Sequence, residues 1–250
     1  MEEGSFKVLE HFHLKVLVPI KVFGIDISIT NLTVSMAGAA VLSFALFYFL
    51  VMRPKIIPGK RQTVAEFIIY FIKKYLVYNM MGKKAGDKWW PFVAGIFVFV
   101  LSNNLIGLIP GVYIPTANPV VPLTLAVIVF FTVQITNVVQ NGFRGMVRTF
   151  APSAVPSWMY VIVVPIEIVS EVAKPFSMFL RLFANMLAGH VIIFVTLGLI
   201  IYFKNYFIAL ASVPFAVAMN VFEIFVGAIQ AYIFAVLSSM YIGEAISEKH

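Results

Sequence analysis

The sequence predicts an all-α integral membrane protein: five transmembrane helices, one interfacial amphipathic helix, and a long, strongly tilted C-terminal helical hairpin. Three observations lead there. Of 250 residues, 61% are hydrophobic and only 12% charged, about half the charged share of a soluble domain. Long stretches, among them 27–52 and 89–143, hold no charged residue. Nine of the eighteen lysines and arginines fall between Arg53 and Lys88, directly after the first apolar run. A basic cluster beside a span marks the cytoplasmic side, so the N-terminus is placed outside. A chain of this length could bury a core in water, but it lacks the polar surface to cover one.

The same composition excludes several classes. The net charge of +7 resides largely in that one loop rather than on a soluble face, which argues against nucleic acid as a partner. With no cysteine, neither a disulfide framework nor a thiolate metal site can form. The opening MEEGSF is acidic and polar, unlike the basic start of a signal peptide. The first membrane helix is therefore expected to act as the targeting signal, and the compact length points to a bacterial inner membrane.

Taken in order, residues 1–29 form an outside segment and 30–52 the first span, about 20 residues being enough to cross. RPKIIPGKR follows, with Pro54 and Pro58 as breakers. Residues 62–82 carry Gln62, Glu66 and Lys73 within about 40° of one another on a helical wheel, with Phe67, Ile68, Phe71 and Ile72 elsewhere. That pattern reads as a helix lying in the cytoplasmic interface. Trp89 and Trp90 mark a boundary. Spans at 89–109 and 123–140 are separated by the proline-rich outside loop IPGVYIPTANPVVP, and Arg144 and Arg148 return the chain to the cytoplasm. Residues 158–203 run without a loop-like break; such a helix would measure about 69 Å against a hydrocarbon core of about 30 Å. The stretch is two short spans or one slanted helix. Lys204-Asn205 interrupts it, 206–246 repeats the pattern, and the C-terminus ends in the cytoplasm. The whole is a single membrane domain.

Ionisable groups inside a membrane cost about 2.5–3.5 kcal/mol each on insertion scales, so each calls for a reason. Around Arg181, the residues Lys174, Glu167, Asn185 and Glu171 fall within about 80° on the helical wheel. Such a stripe faces water, a partner or another polar helix. Glu171 and Lys174 stand at i, i+3, the spacing of an ion pair, equally suited to structure and to function. Arg181 has no acid three or four residues away and cannot shed its proton. Its counter-charge must come from another helix or another subunit.

The hairpin supplies a register. With the turn near Asn205, antiparallel partners have residue numbers of constant sum, and Arg181 with Gln230 gives 411 while His190 with Glu223 gives 413. A fixed cation is thus paired with an amide, and a titratable histidine with a titratable glutamate. The second pair lies about 14 Å nearer the outer surface and about 180° around the helix from Arg181. A lone histidine is commonly a packing residue; beside a buried glutamate it suits a proton relay near neutral pH. Two ligands are too few for a metal site, and no cofactor is implied. Ala184, Ala188, Gly189, Gly227 and Ala228 permit close helix approach. Asn103 and Asn104 suit either interhelical packing or a polar path.

The stretch KPFSMFLRLFANMLAGH, with LSNNLIGLIPG, PTANPVVPLTLA and FEIFVGAIQAYIFAVLSSMYIGEA in that order, resembles subunit a of F-type ATP synthases over residues 90–245. Ala184 stands where that family usually has glycine. The resemblance implies a non-catalytic stator subunit that contacts a rotating c-ring and the peripheral-stalk subunit b. Two offset aqueous half-channels would pass protons to and from the carboxyl groups of the ring. It implies that Arg181 separates the channels and that Gln230 lies near it. His190 and Glu223 would serve the outer half-channel, with Glu167, and Glu171 beside it, toward the cytoplasmic exit and Asn185 on the same stripe. The main rival reading is a small secondary transporter in which Arg181 binds an anionic substrate; internal repeats, usual in such folds, are not found. An intramembrane hydrolase would need a nucleophile–base set or paired acids in a cavity, and the only aspartates, Asp26 and Asp87, lie outside the spans.

Overall fold

The computed structural model describes residues 15–22, 25–26, 28–51, 59–109, 112–150, 159–203 and 206–247. The breakers Pro54, Pro58 and Pro110, the side chains of Arg144 and Arg148, and the break at Lys204-Asn205 lie outside the described residues. Ahead of the first helix, short strands pair antiparallel, β1 (Val16–Val18) with β4 (Ile29–Thr30) and β2 (Lys21–Val22) with β3 (Ile25–Asp26). They are the only β-structure among the described residues, and everything after them is helical or irregular.

Helix α1 spans Asn31–Val51. Thr30 caps it, its Oγ1 accepting from the Thr33 amide at 3.3 Å while Thr33 Oγ1 faces the Thr30 amide at 3.4 Å, a reciprocal arrangement that satisfies amides at the helix start. Val41, Phe44 and Tyr48 are exposed along it, as suits a lipid-facing helix. Helix α2 (Lys60–Phe71) passes into a π-helical turn (Ile72–Tyr78) and then α3 (Asn79–Gly107). The wider π turn places Ile72, Leu76 and Val77 in a core with Val93, Ala94 and Ala235. On the polar side Gln62 donates to Glu66 at 2.8 Å, and the Lys73 ammonium sits 4.5 Å over Trp90. Helical geometry breaks at Gly82, where φ is +71°, a conformation that glycine alone adopts without strain. Helical structure therefore resumes before Trp89, earlier than the apolar pattern alone indicates.

The connection after α3 is packed into the protein. Its 3₁₀ turn Pro115–Ala117 is buried together with Ile114 and Asn118. Helix α4 (Val120–Phe150) breaks at Gly142, φ +69°. Helix α5 (Tyr160–Phe203) is one continuous helix despite Pro165 and Pro175, and α6 (Tyr206–Ser247) continues past Pro214. In lipid, keeping a helix whole costs less than exposing backbone groups at a break. Of the two readings of 158–203, the single helix is the one adopted.

Five helical stretches among the described residues are long and apolar enough to cross a membrane: Asn31–Phe49, Gln62–Gly107, Val120–Gly142, Tyr160–Ile200 and Tyr206–Ser247. Together with the absence of any larger sheet among those residues, they make an all-α integral membrane protein. The chain divides into two compact units, one of residues 1–46, 98–118 and 182–231, the other of 47–97, 119–181 and 232–250.

Candidate functional site

In the first unit, the second half of α5 faces α6 through two buried ionisable side chains. His190 is 5% exposed and Glu223 3%, and His190 Nδ1 lies 2.7 Å from Glu223 Oε1. The contact is in ion-pair range but off the line of a hydrogen bond, so both carboxylate oxygens and His190 Nε2 keep unspent hydrogen-bonding capacity. Two glycines make the room. A Cβ at Gly189 would stand 2.6 Å from Glu223 Oε1, and one at Gly107 would stand 3.6 Å from His190 Nε2 and 2.9 Å from Ile114 Cγ2. Gly189 is thus the floor on which the carboxylate rests, a tighter role than general helix approach.

The end of α3 adds polar groups to this unit. Asn104 Nδ2 donates to the Gly227 carbonyl at 2.9 Å, tying α3 to α6, and Asn103 donates to Phe99 O at 2.8 Å. Ser102 Oγ, the Oδ1 atoms of both asparagines and Thr116 Oγ1 are buried without a hydrogen-bond partner. Asn104 therefore packs across helices and still offers an acceptor. Asn185 is exposed on α5, and Gln230 is buried on α6, 4% exposed.

In the second unit Arg181 is exposed on α5, Glu167 is partly buried and Glu171 is 7% exposed. The polar stripe is therefore divided, with Glu171 turned inward and Arg181 outward. Lys174 Nζ lies 2.5 Å from Glu171 Oε1, the pair expected at i, i+3, and also 3.3 Å from Glu244 Oε2 on α6. Gln134 on α4 donates to Glu171 Oε2 at 3.3 Å. Glu244 and Gln134 are partners that sequence reasoning misses, because the separations of 70 and 37 residues carry no local periodicity. Among the described residues, no three His, Cys, Asp or Glu side chains gather as metal ligands would.

Long apolar helices that bury a His–Glu pair, and that carry a Glu–Lys–Glu cluster running from buried Glu171 to exposed Glu244, define a multi-pass membrane protein with ionisable side chains on its helices. The profile of the ATP synthase A chain family matches residues 32–243. The chain is 40% identical to ATP synthase subunit a of Magnetococcus marinus, over 95% of this chain and 92% of that one. It is 36% identical to ATP synthase subunit a of Myxococcus xanthus, over 90% of this chain and 75% of that one. The chain belongs to the ATP synthase subunit a family. It is accordingly a membrane-sector component of ATP synthase, serving ion transport and ATP synthesis.

Proposed function

We propose that this chain is the stationary, non-catalytic subunit that leads protons through two offset half-channels to and from the carboxyl groups of a rotating c-ring. The observation that carries the reading is the buried His190–Glu223 contact at 2.7 Å. Titratable side chains within a membrane span are costly, and a buried pair of them marks a site for proton traffic. A proton taken up at His190 Nε2 lets the ring release the one on Nδ1 to Glu223, which restores neutral imidazole and leaves a carboxylic acid. The acid then passes its proton onward and becomes carboxylate again. Ser102, Asn103, Asn104 and Thr116 supply further polar atoms along that outer half-channel.

Arg181 is the barrier between the half-channels. A guanidinium keeps its proton at every physiological pH, so it stabilises an arriving ring carboxylate in its ionised form without relaying a proton itself. Its exposure on α5 suits contact with a second subunit. Gln230 and Asn185 serve the same passage, and Glu167 and Glu171 serve the exit toward the cytoplasm. The N-terminus lies outside and the C-terminus in the cytoplasm of a bacterial inner membrane. Residues 62–82 lie along the cytoplasmic interface, and subunit b of the peripheral stalk completes the stator.

The test is Arg181→Ala in the whole complex. Proton-driven ATP synthesis should fall to background while ATP hydrolysis by the soluble heads persists. Retained synthesis would remove Arg181 from its role and the reading with it.

A further inference from the structure

The proposed function leaves Lys174 without a task, yet three helices converge on it. Its ammonium is shared between Glu171 on α5 and Glu244 on α6, with Gln134 of α4 on the far oxygen of Glu171. The Tyr241 ring of α6 lies 5.3 Å beneath the ammonium. The side chains form a gradient of exposure, 9% for Glu171, 29% for Lys174 and 48% for Glu244. A partly enclosed cavity of about 10 Å³ opens beside them, lined by Glu171, Lys174 and Tyr241 and by apolar side chains of α4. That is room for about one water. Two carboxylates and one ammonium sum to a single negative charge, which one added proton cancels.

From this geometry we infer that Glu171, Lys174 and Glu244 form one proton-holding group on the cytoplasmic side, in which Lys174 is a positioning residue that swings between the two acids. A proton delivered as hydronium joins the Glu171 carboxylate and leaves water behind. Lys174 keeps its three protons and moves its contact to Glu244. When Glu171 gives the proton back, Lys174 returns. No net charge is stranded in the buried part of the cluster at either stage. The groups facing it are Gln134 from α4 and Tyr241 from α6, with Arg181 the next cation along α5.

This inference rests on the proton-path reading above, and the experiment separates the two. The whole complex is reconstituted with its ATPase heads outward, so that the cytoplasmic face meets the external buffer. ATP-driven proton pumping is measured per assembled complex against external pH. Glu244→Gln and Glu171→Gln should each slow pumping on the order of ten-fold at alkaline external pH, where proton uptake limits, and flatten the profile. Lys174→Met should distort the profile as well, whereas Lys174→Arg should restore it to within about two-fold. A purely structural clamp would lower the amount of assembled complex and leave the profile per complex unchanged; that result overturns the inference. Lys174→Arg faring no better than Lys174→Met overturns it too. Arg181→Ala, run alongside, reports on the underlying reading: if it pumps, that reading fails, and if it is silent while the cluster variants match the parent, only this inference fails.

Discussion

Gly189→Ala tests the relay with a single methyl group. In the interior of a helix this change is ordinarily favourable by about 0.5–1 kcal/mol, so loss of fold is not the expected outcome. The new Cβ would stand 2.6 Å from Glu223 Oε1 and 3.0 Å from its Cδ. Ordinary van der Waals contact begins at 3.4 Å, so the carboxylate must retreat by about 0.8 Å, a distance set by that contact limit. Retreat along the line from His190 would stretch the 2.7 Å approach to about 3.5 Å, beyond hydrogen-bond range. Misplacing a reacting group by about 1 Å costs up to about 100-fold in rate. ATP-driven pumping by the reconstituted complex should fall between about 10- and 100-fold, with normal assembly. Glu223→Asp draws the carboxylate back by about one carbon–carbon bond, roughly 1.5 Å, and leaves the methyl nothing to strike. Combined with Glu223→Asp, the change Gly189→Ala should therefore have almost no further effect. An unimpaired Gly189→Ala, or the same factor with and without Glu223→Asp, would refute the argument that Gly189 positions the carboxylate.

Three further outcomes are expected. Arg181→Lys should assemble but conduct protons passively through the membrane sector, because a lysine desolvated against the c-ring can give up its proton; dye-monitored leak in head-stripped vesicles checks it. Asn104→Leu removes the amide that reaches the Gly227 carbonyl and should lower the resistance of the complex to thermal dissociation, by about 0.6–1.7 kcal/mol as judged from interhelical hydrogen bonds in membranes. At Gly243 even a Cβ would come within 2.8 Å of the Met80 carbonyl. Gly243→Val should cost about 1–3 kcal/mol by overpacking, seen as reduced recovery of intact complex.

What sequence alone discloses follows from where its physics is local. Charge-free runs announce spans because the bilayer tolerates little else. The i, i+3 spacing foretells Glu171 with Lys174, and the constant sum of an antiparallel hairpin foretells His190 beside Glu223, because both rest on fixed helical rise. Placing Asn205 near the turn sets that register without any contact being known. The rest depends on packing between distant segments. Glu244 joins Lys174 from 70 residues away, and nothing in GEAISEKH hints at it. Gly189 reads as one more small residue until the carboxylate above it is located. The kink at Gly82 and the π turn before it are backbone events, and their side-chain pattern is that of any amphipathic helix. The burial of Ile114–Asn118 is not legible in the proline-rich connection, whose sequence marks only a break between spans. It arises because Gly107 leaves space for Ile114 to enter.

The Asn104–Gly227 link has an acceptor that belongs to the main chain. That oxygen also serves its own helix, and a carbonyl has two lone pairs to do so. No change of side chain at 227 can therefore delete it; bulk there can only push the neighbouring helix away. Damage at 104 loses an anchor, whereas damage at 227 inserts a spacer. A small residue at 227 with a shortened donor at 104 would loosen the joint without separating the helices, which makes the two kinds of lesion distinguishable by genetics alone.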